Sequence, residues 1–166
     1  SDHGYLLGEH RFWMKVSLME ESARVPLIIK VPGKVPAVCH SFAELVDLFP
    51  TVTTLAGFNP PEHIQGKDLS PLFDDPTQKI NEFAFSVSRR NGKMGYLIRT
   101  ENWAYIQYGV EVDADKELYN MNYDPRQYNN LASNPTYLKV VENMKTRLLL
   151  KLEEVKNNDL DIVYEK

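Results

Sequence analysis

The sequence predicts an α/β fold in which the closing part of an α/β domain is followed by a small antiparallel sheet and a terminal helix. A branched apolar run at 24–33 precedes a helical pattern at 41–57, as in an α/β unit. Several strand-like runs then follow at short spacing, which is typical of an antiparallel sheet. One apolar stripe at helical spacing runs through 135–156 and predicts a long helix. We therefore predict that residues 1–78 end the α/β domain and that residues 79–166 form the antiparallel subdomain with its packing helix.

The run at 24–33 predicts a short buried strand, since it carries four branched apolar residues between Pro26 and Pro32. Residues 59–78 are rich in proline and turn-forming residues. We interpret them as a surface loop with one short helical turn, in which His63 is exposed.

The helical pattern at 41–57 carries its own start and stop signals. Ser41 is a suitable N-cap, and Glu44 stands where a capping box requires it. Gly57 suits the end of the helix. Because proline has no backbone N–H, Pro50 is expected either to kink this helix or to start a second one.

The second half of the chain predicts the sheet and the terminal helix. Strand-like runs occur at 82–88, 95–100 and 103–108, and the last two are joined by Glu101 and Asn102, a spacing typical of a tight hairpin. The segment "ELYNMNYDPRQYNNLA" is interpreted as a strand end followed by turns. The apolar stripe of the terminal helix consists of Tyr137, Val141, Met144, Leu148, Leu152 and Val155, and the residues after it are expected to form a tail.

Composition and charge exclude several classes of function. The formal net charge of −4 gives no electrostatic reason to expect binding to nucleic acid or to an anionic membrane. The longest apolar run is too short and too interrupted to span a bilayer. Cys39 is the one cysteine, so the chain has neither an internal disulfide nor a multi-cysteine metal site.

Asp2 and His3 are the first candidates for chemistry. Adjacent residues of a strand point to opposite faces, so the two side chains converge only where the strand ends, and Gly4 supplies a turn there. A carboxylate and a neutral imidazole can bind a divalent cation, but calcium takes six to eight ligands, so the others must come from elsewhere. The alternative is a loop in which both side chains only cap backbone groups. Taken alone, Lys15 is more typical of a solvated surface charge, and His10 is more typical of a structural histidine.

Several motifs in a fixed order narrow these alternatives. They are "SDHG" at the start, "LGEH" at 7–10, Lys15, "EESARVPLIIKVPG", "ELVDLFPTVTTLAG", "GKDLSPLF" and "ELYNMNYDPRQYNNLA". In this order they resemble the C-terminal half of the sulfatase family, within the alkaline-phosphatase-like superfamily, over most of residues 1–135. "SDHG", "LGEH" and "MGYLIRT" are most similar to the iduronate-2-sulfatase-like branch.

The resemblance implies a role for individual residues. Asp2 matches a calcium ligand, and His3 matches a position that ligates the metal or lies beside it. Lys15 matches a lysine that contacts the sulfate and balances charge during transfer. His10 is expected near the site, where it contacts substrate or supports residues that do, and Tyr5 is expected at the rim of the pocket. Residues 1–78 would then be the end of the sulfatase catalytic domain.

The resemblance also implies what this chain does not contain. Sulfatases use formylglycine, made from the first residue of a C/S-x-P-S/T-x-R stretch, as nucleophile. Cys39 is followed by "HSFAE", which lacks the proline and the arginine, so it is interpreted as a packing residue. Formylglycine and the remaining calcium ligands are expected in an N-terminal sulfatase polypeptide, without which the chain should be inactive.

The implied substrates are sulfated sugars, among which 2-O-sulfated uronates of a glycosaminoglycan or an algal polysaccharide are one candidate. The family resemblance implies an exported enzyme that is periplasmic, secreted or lysosomal. Two alternatives stay open at this point. One is a phosphonate monoester or phosphodiester hydrolase of the same superfamily, and the other is a binding module that keeps the fold without the chemistry.

Two further groups of residues have both a functional and a structural interpretation. Arg89, Arg90 and Lys93 are predicted on a loop between strands, where they could hold a uronate carboxylate or a second sulfate, or simply be solvated. Trp103, Tyr105 and Tyr108 are predicted to share one face of a strand, where they pack the subdomain or, in one case, stack on a sugar.

Overall fold

The computed structural model describes residues 1–90, 92–111 and 114–156. The chain divides into two compact units. The first consists of Ser1–Ile28 and Phe83–Leu149, and the second consists of Ile29–Glu82 and the described residues from Leu150 to Lys156. The sequence places the predicted end of the catalytic domain at residue 78. The division into compact units does not test that boundary, which stays a prediction.

A four-stranded antiparallel sheet dominates the first unit. Its strands follow chain order, so that each one pairs with the next along the sequence. The predicted α/β class and the predicted strand-like runs are confirmed, and Glu101 and Asn102 connect the second strand to the third. The strands are β1 Phe83–Arg90, β2 Lys93–Thr100, β3 Trp103–Tyr108 and β4 Asp115–Asn120.

The sheet buries apolar side chains on both faces. On one face, Leu97 is opposite Ile106 and Ala104 is opposite Tyr119. These four residues form a buried cluster with Leu18 and Met121. On the other face, the fully buried Ile98, Tyr105 and Leu118 lie side by side across three strands. Such cross-strand neighbours are the main source of stability in a sheet.

The prediction that Trp103, Tyr105 and Tyr108 share one face is wrong for Tyr108. Because side chains alternate along a strand, Trp103 and Tyr105 point to one face and Tyr108 points to the other. Tyr108 packs against the cluster that contains Ile106, whereas the Trp103 ring meets Tyr137 edge to face at 5.6 Å.

The helices of the described residues are α1 Glu20–Ala23, α2 Leu48–Leu55 and α3 Leu138–Lys156. A short 3-10 turn, Pro135–Tyr137, precedes α3, and the Asn134 side chain caps it by accepting from the Thr136 N–H. The predicted long helix is thus confirmed. Four of its predicted stripe residues are buried, namely Val141, Met144, Leu148 and Leu152. Within the ranges that the structure describes, no helix is both long and apolar enough to cross a bilayer. The predicted tail lies outside the described residues.

The predicted strand at 24–33 is wrong. These residues belong to no strand, and the Ile28 side chain is 90% exposed. A strand requires a neighbouring strand to satisfy its backbone, and none of the described residues pairs with this run. Its apolar pattern therefore indicates a surface that the described residues leave uncovered.

The start of the predicted helix at 41–57 also differs from expectation. The capping box is formed by Glu44 and Asp47, at a short 3-10 turn, Leu45–Asp47, that leads into α2. The Ser41 hydroxyl instead accepts from the Ile80 N–H and donates to the Phe42 carbonyl. Pro50 lies in the first turn of α2, where a missing N–H costs nothing, so the second of the two predicted outcomes occurs. The prediction that 59–78 is a loop with one helical turn is confirmed by the 3-10 turn Ser70–Phe73, and His63 is exposed.

Arg89, Arg90 and Lys93 belong to strands and not to the predicted loop. Arg89 pairs with Met94, and Arg90 pairs with Lys93, so the hairpin is tighter than the sequence suggested. The Lys93 ammonium lies 3.5 Å from the Asp115 carboxylate, and both side chains are largely exposed.

Two buried tyrosines predict a loss of stability at alkaline pH. Burial raises the pKa of Tyr105 to about 12, and burial and the neighbouring Glu117 carboxylate raise the pKa of Tyr119. Above about pH 10 the unfolded chain releases these protons while the folded chain retains them. The free energy of unfolding should therefore fall as pH rises through this range, by about 1.4 kcal/mol per pH unit for each tyrosine.

Urea denaturation at several pH values between about 9 and 11 tests this expectation. Tyr105→Phe should make the pH dependence shallower, whereas Tyr123→Phe, at a tyrosine that is 88% exposed, should leave it unchanged. A free energy of unfolding that does not vary with pH in the unsubstituted protein would contradict the prediction.

Candidate active site

The loop between residues 3 and 15 folds back on itself. The Leu6 N–H donates to the Met14 carbonyl at 3.0 Å, and the Gly8 N–H donates to the Phe12 carbonyl at 3.2 Å. Gly8 adopts a φ of 122°, a value that glycine tolerates far better than other residues, and it allows the chain to reverse. The two arms of the loop therefore run side by side, which brings Lys15 next to His3.

Three of the four predicted site residues come together at the open end of this loop. The Lys15 ammonium donates to His3 Nε2 at 3.0 Å, and that nitrogen lies 3.5 Å from Asp2 Oδ2. The sequence predicted these residues separately, from motif spacing. Their contact depends on the pairing of the two arms.

The hydrogen bonds of His3 determine its tautomer. Its Nδ1 lies 2.9 Å from the Gly4 carbonyl, which only accepts, so Nδ1 carries the proton. A lysine ammonium only donates, so Nε2 presents its lone pair towards Lys15 and Asp2. This is the form of histidine that ligates metals through Nε2 while a backbone carbonyl fixes the ring.

Asp2 is ionised and accessible. A hydrogen bond from its own backbone N–H, followed by electrostatic interactions with His3 and Lys15, holds the pKa of its carboxyl below the usual value. The side chain is 82% exposed, so its oxygens are open to a ligand from outside this chain.

These residues fit one edge of a divalent cation site. Asp2 can supply a carboxylate oxygen, and His3 can supply the Nε2 lone pair once it releases the Lys15 ammonium, but calcium needs more oxygen ligands than this. Across residues 1–90, 92–111 and 114–156, no group of three or more histidine, cysteine, aspartate or glutamate side chains could hold a metal ion. The remaining ligands would therefore have to come from another polypeptide segment.

His10 lies in a different set of contacts. Its ring stacks on Tyr128 at 4.7 Å, and its Nε2 lies 3.7 Å from the Glu21 carboxylate. The side chain is only 15% exposed, which favours support of the loop over direct contact with a substrate. Its predicted role near the site stays a prediction. Tyr5, predicted at the pocket rim, is 52% exposed.

Two polar residues near the loop were missed by sequence reasoning. Ser22 is buried, and its hydroxyl donates to the Lys15 carbonyl. Glu20 accepts from the Arg99 guanidinium at 2.8 Å. Both residues occur in the motif "EESARVPLIIKVPG", but a motif does not indicate which of its polar side chains are buried. Cys39 is half-buried and accepts from the Ser41 N–H, which agrees with a packing role.

Comparison with known proteins identifies the family. The profile of the family described as "N-sulphoglucosamine sulphohydrolase, C-terminal" matches residues 8–154, from the loop that carries Lys15 almost to the end of α3. This chain belongs to the sulfatase family. The resemblance on which the sequence analysis relied is thereby confirmed.

Two relatives of this sulfatase chain illustrate the match. It is 31% identical over 171 residues to an N-acetylglucosamine-6-O-sulfatase from Bacteroides thetaiotaomicron, an alignment that covers 97% of this chain and 30% of the relative. It is 32% identical over 142 residues to arylsulfatase K from Homo sapiens, which covers 80% of this chain and 26% of the relative. The chain thus spans about a third or less of the length of these relatives.

Solved structures confirm the sulfatase fold. A structure in complex with its substrate D-glucosamine-2-N,6-O-disulfate aligns with a TM-score of 0.80 and 30% identity, over 99% of this chain and 35% of that one. A 2-O glycosaminoglycan sulfatase aligns with a TM-score of 0.82 and 28% identity, over 98% of this chain and 37% of that one. The phosphonate monoester hydrolase of Agrobacterium radiobacter shares the fold, with a TM-score of 0.80 and 24% identity over 93% of this chain and 34% of that one.

The comparisons include several kinds of sulfatase. They do not single out the iduronate-2-sulfatase-like branch, which stays a prediction.

Proposed function

We propose that this chain is the C-terminal part of an enzyme that hydrolyses sulfate esters of sugars, and that it completes an active site with an N-terminal sulfatase polypeptide. The observation that carries the proposal is the contact of Lys15 with His3 beside Asp2, in a chain that belongs to the sulfatase family. Lys15 offers a positive charge, and next to it Asp2 and His3 offer part of a ligand set for a divalent cation.

Lys15 is the residue of this chain that would act on the reacting group. Its ammonium would contact the sulfate oxygens and stabilise the negative charge that develops as the ester bond breaks. Asp2 and His3 would hold one edge of the calcium site, and the bound cation would supply further positive charge against the sulfate. The formylglycine nucleophile would come from the N-terminal polypeptide.

Exposed apolar side chains in each of the two units support the presence of a second polypeptide. In the run at 24–33, Leu27 is 45% exposed and Ile28 is 90% exposed. On α2, Phe49 and Val52 are each 57% exposed. Exposed apolar side chains of this size in both units favour coverage by another segment. Intact mass measurement of the purified protein would show whether such a polypeptide accompanies this chain and whether it carries the mass change of formylglycine.

The proposed substrates are sulfated sugars of the kinds named for the relatives. Those relatives include an enzyme for N-acetylglucosamine-6-O-sulfate, one crystallised with a glucosamine disulfate and a 2-O glycosaminoglycan sulfatase. Sulfated glucosamines and 2-O-sulfated uronates are therefore the two classes to test first. We also propose that the enzyme is exported, as periplasmic, secreted or lysosomal sulfatases are.

The experiment that tests the function is an activity comparison on the complete enzyme. Turnover of 6-O-sulfated glucosamine, 2-O-sulfated uronate, a phosphate diester and a phosphonate monoester should be measured under the same conditions. We expect preference for a sulfate ester. Preference for the phosphonate would favour the alternative hydrolase, whose fold this chain shares. Absence of turnover of every sulfate ester would contradict the proposal.

Asp2→Ala should weaken calcium binding by about tenfold or more, because it removes the carboxylate that points out of the loop. Isothermal titration of calcium into the complete enzyme measures this. Glu153→Ala removes an exposed carboxylate from α3 and is the matched control, for which affinity should not change. Calcium affinity and activity that are both indifferent to Asp2 would exclude this assignment of the calcium site.

A further inference from the structure

Ser22 connects the two arms of the loop that carries the candidate active site. This residue lies in α1 and is only 3% exposed. Its hydroxyl donates to the carbonyl of Lys15, on one arm. Its own carbonyl accepts from the N–H of Gly4, on the other arm, at 2.9 Å. A single buried residue therefore holds the backbone of the lysine and the backbone next to His3.

The first arm lies directly against α1. A Cβ atom added at Gly4 would stand 1.9 Å from the backbone carbonyl oxygen of Glu21, a distance that no side chain can accept. Glycine is therefore required where the arm crosses the helix. This close approach allows the Gly4 N–H to reach the Ser22 carbonyl.

Helix α1 is itself fixed to the rest of the first unit. The Glu20 N–H donates to the side-chain oxygen of buried Gln127 at 2.7 Å. The Glu20 carboxylate accepts from Arg99 Nε, on β2, at 2.8 Å, and both of these side chains are largely buried. A charge-assisted hydrogen bond between largely buried groups is a strong restraint. Ser22 therefore stands on a helix that is anchored to the sheet.

We propose that Ser22 is a positioning residue for Lys15. Its hydroxyl fixes the backbone from which the lysine side chain extends, so that the ammonium stays beside Asp2 and His3 instead of sampling the surrounding solvent. The lysine side chain has several rotatable bonds and is exposed, so the location of its backbone determines which volume the ammonium can reach. This inference rests on the proposed function of Lys15 as the sulfate-binding residue.

Because Ser22 makes a separate hydrogen bond to each arm, replacing its side chain should affect the two arms differently. Ser22→Ala removes the hydroxyl that holds Lys15 but keeps the carbonyl that holds Gly4. Sulfate binding should therefore weaken while calcium binding through Asp2 and His3 stays the same. Misplacement of a reacting group by about 1 Å can cost about 100-fold in rate, so we expect kcat/KM to fall by roughly 10- to 100-fold. A role in folding alone would not separate the two affinities.

The experiment compares Ser22→Ala, Ser22→Thr and Ser41→Ala in the complete enzyme. Ser41 is the matched control, since its hydroxyl, like that of Ser22, donates to a backbone carbonyl, but this serine lies in the other unit. The measurements are kcat/KM, inhibition by inorganic sulfate, calcium affinity and hydrogen exchange of the backbone at residues 12–17. We expect Ser22→Ala to weaken inhibition by sulfate and to speed exchange, with calcium affinity unchanged. Ser22→Thr should restore the inhibition by sulfate and the slow exchange. Ser41→Ala should change neither the inhibition nor the exchange.

Several results would overturn the inference. These are sulfate inhibition and exchange in Ser22→Ala within twofold of the unsubstituted enzyme, an equal loss of sulfate and calcium affinity, or the same changes in Ser41→Ala. The exchange measurement requires no activity. If the unsubstituted enzyme fails to bind sulfate, the proposed function fails, whereas the exchange of residues 12–17 still decides whether the Ser22 hydroxyl restrains the Lys15 backbone.

Discussion

Lys15→Ala should lower kcat/KM for a sulfate ester by about 100-fold or more, which is the loss typical of removing one preorganised donor to a developing oxyanion. The ammonium lies 3.0 Å from His3 Nε2, at the edge where Asp2 offers its carboxylate. In the proposed enzyme it is the cation that this chain contributes to the sulfate. Both kcat and the affinity for inorganic sulfate should fall, because free sulfate and the reacting group meet the same charge.

Steady-state kinetics and sulfate inhibition of the complete enzyme test this prediction. Lys139→Ala is the matched control, since it removes an exposed lysine from α3. Lys15→Arg keeps the charge but replaces a compact ammonium with a planar, longer group, so activity should recover only in part. If Lys15→Ala retained more than half of the activity, Lys15 would not be the sulfate-binding residue.

Asp47→Ala should produce the largest loss of stability in the second unit. The carboxylate is 1% exposed and accepts three hydrogen bonds of 2.8 Å. The donors are the Glu44 N–H, the Lys67 N–H and the Asn81 side-chain amide. Asp47 thus joins the start of α2 to two segments distant in sequence. Alanine would leave these donors without their acceptor, so we expect a loss of about 3 kcal/mol or more in the free energy of unfolding.

Urea denaturation of the complete protein measures this loss. Asp47→Asn keeps the volume but presents an amide N–H₂ where the carboxylate accepts, so it should also be destabilising, though less so than alanine. Glu62→Ala removes an exposed carboxylate from the same unit and should change the free energy of unfolding by less than about 0.5 kcal/mol. A loss below about 1 kcal/mol for Asp47→Ala would show that the three hydrogen bonds are replaced by water.

The sheet and the terminal helix could be predicted because the sequence patterns that indicate them lie within short segments. Short runs of aromatic and branched residues indicate β2 and β3, two residues close the hairpin between them, and the stripe that contains Met144 and Leu148 indicates α3. The prediction of a strand at 24–33 is wrong because strand formation also depends on residues outside the segment. The segment's apolar pattern is as clear as that of β2, but a strand also needs a partner strand, which a pattern within one segment cannot indicate.

The residues of the candidate site could be predicted from the sequence, but the residues that hold them in place could not. Asp2, His3 and Lys15 are found by motif order, and the structure brings all three together. Ser22 was not found, because serine is mostly exposed in proteins and its burial here depends on how α1 meets the loop. The Glu44–Asp47 capping box was missed because Ser41 satisfies the same sequence rule three residues earlier.

The sequence was sufficient to predict the strands of the sheet, the long helix, the family and the three residues that meet at the end of the loop. Periodicity and motif order can be read from the order of the residues, without knowledge of the fold. The tertiary structure alone decided which polar groups are buried, which tautomer His3 adopts and why Lys15 stands beside it. Those features depend on hydrogen bonds between residues that are distant in sequence or on opposite arms of a loop, such as Glu20 with Arg99 and Ser22 with Gly4.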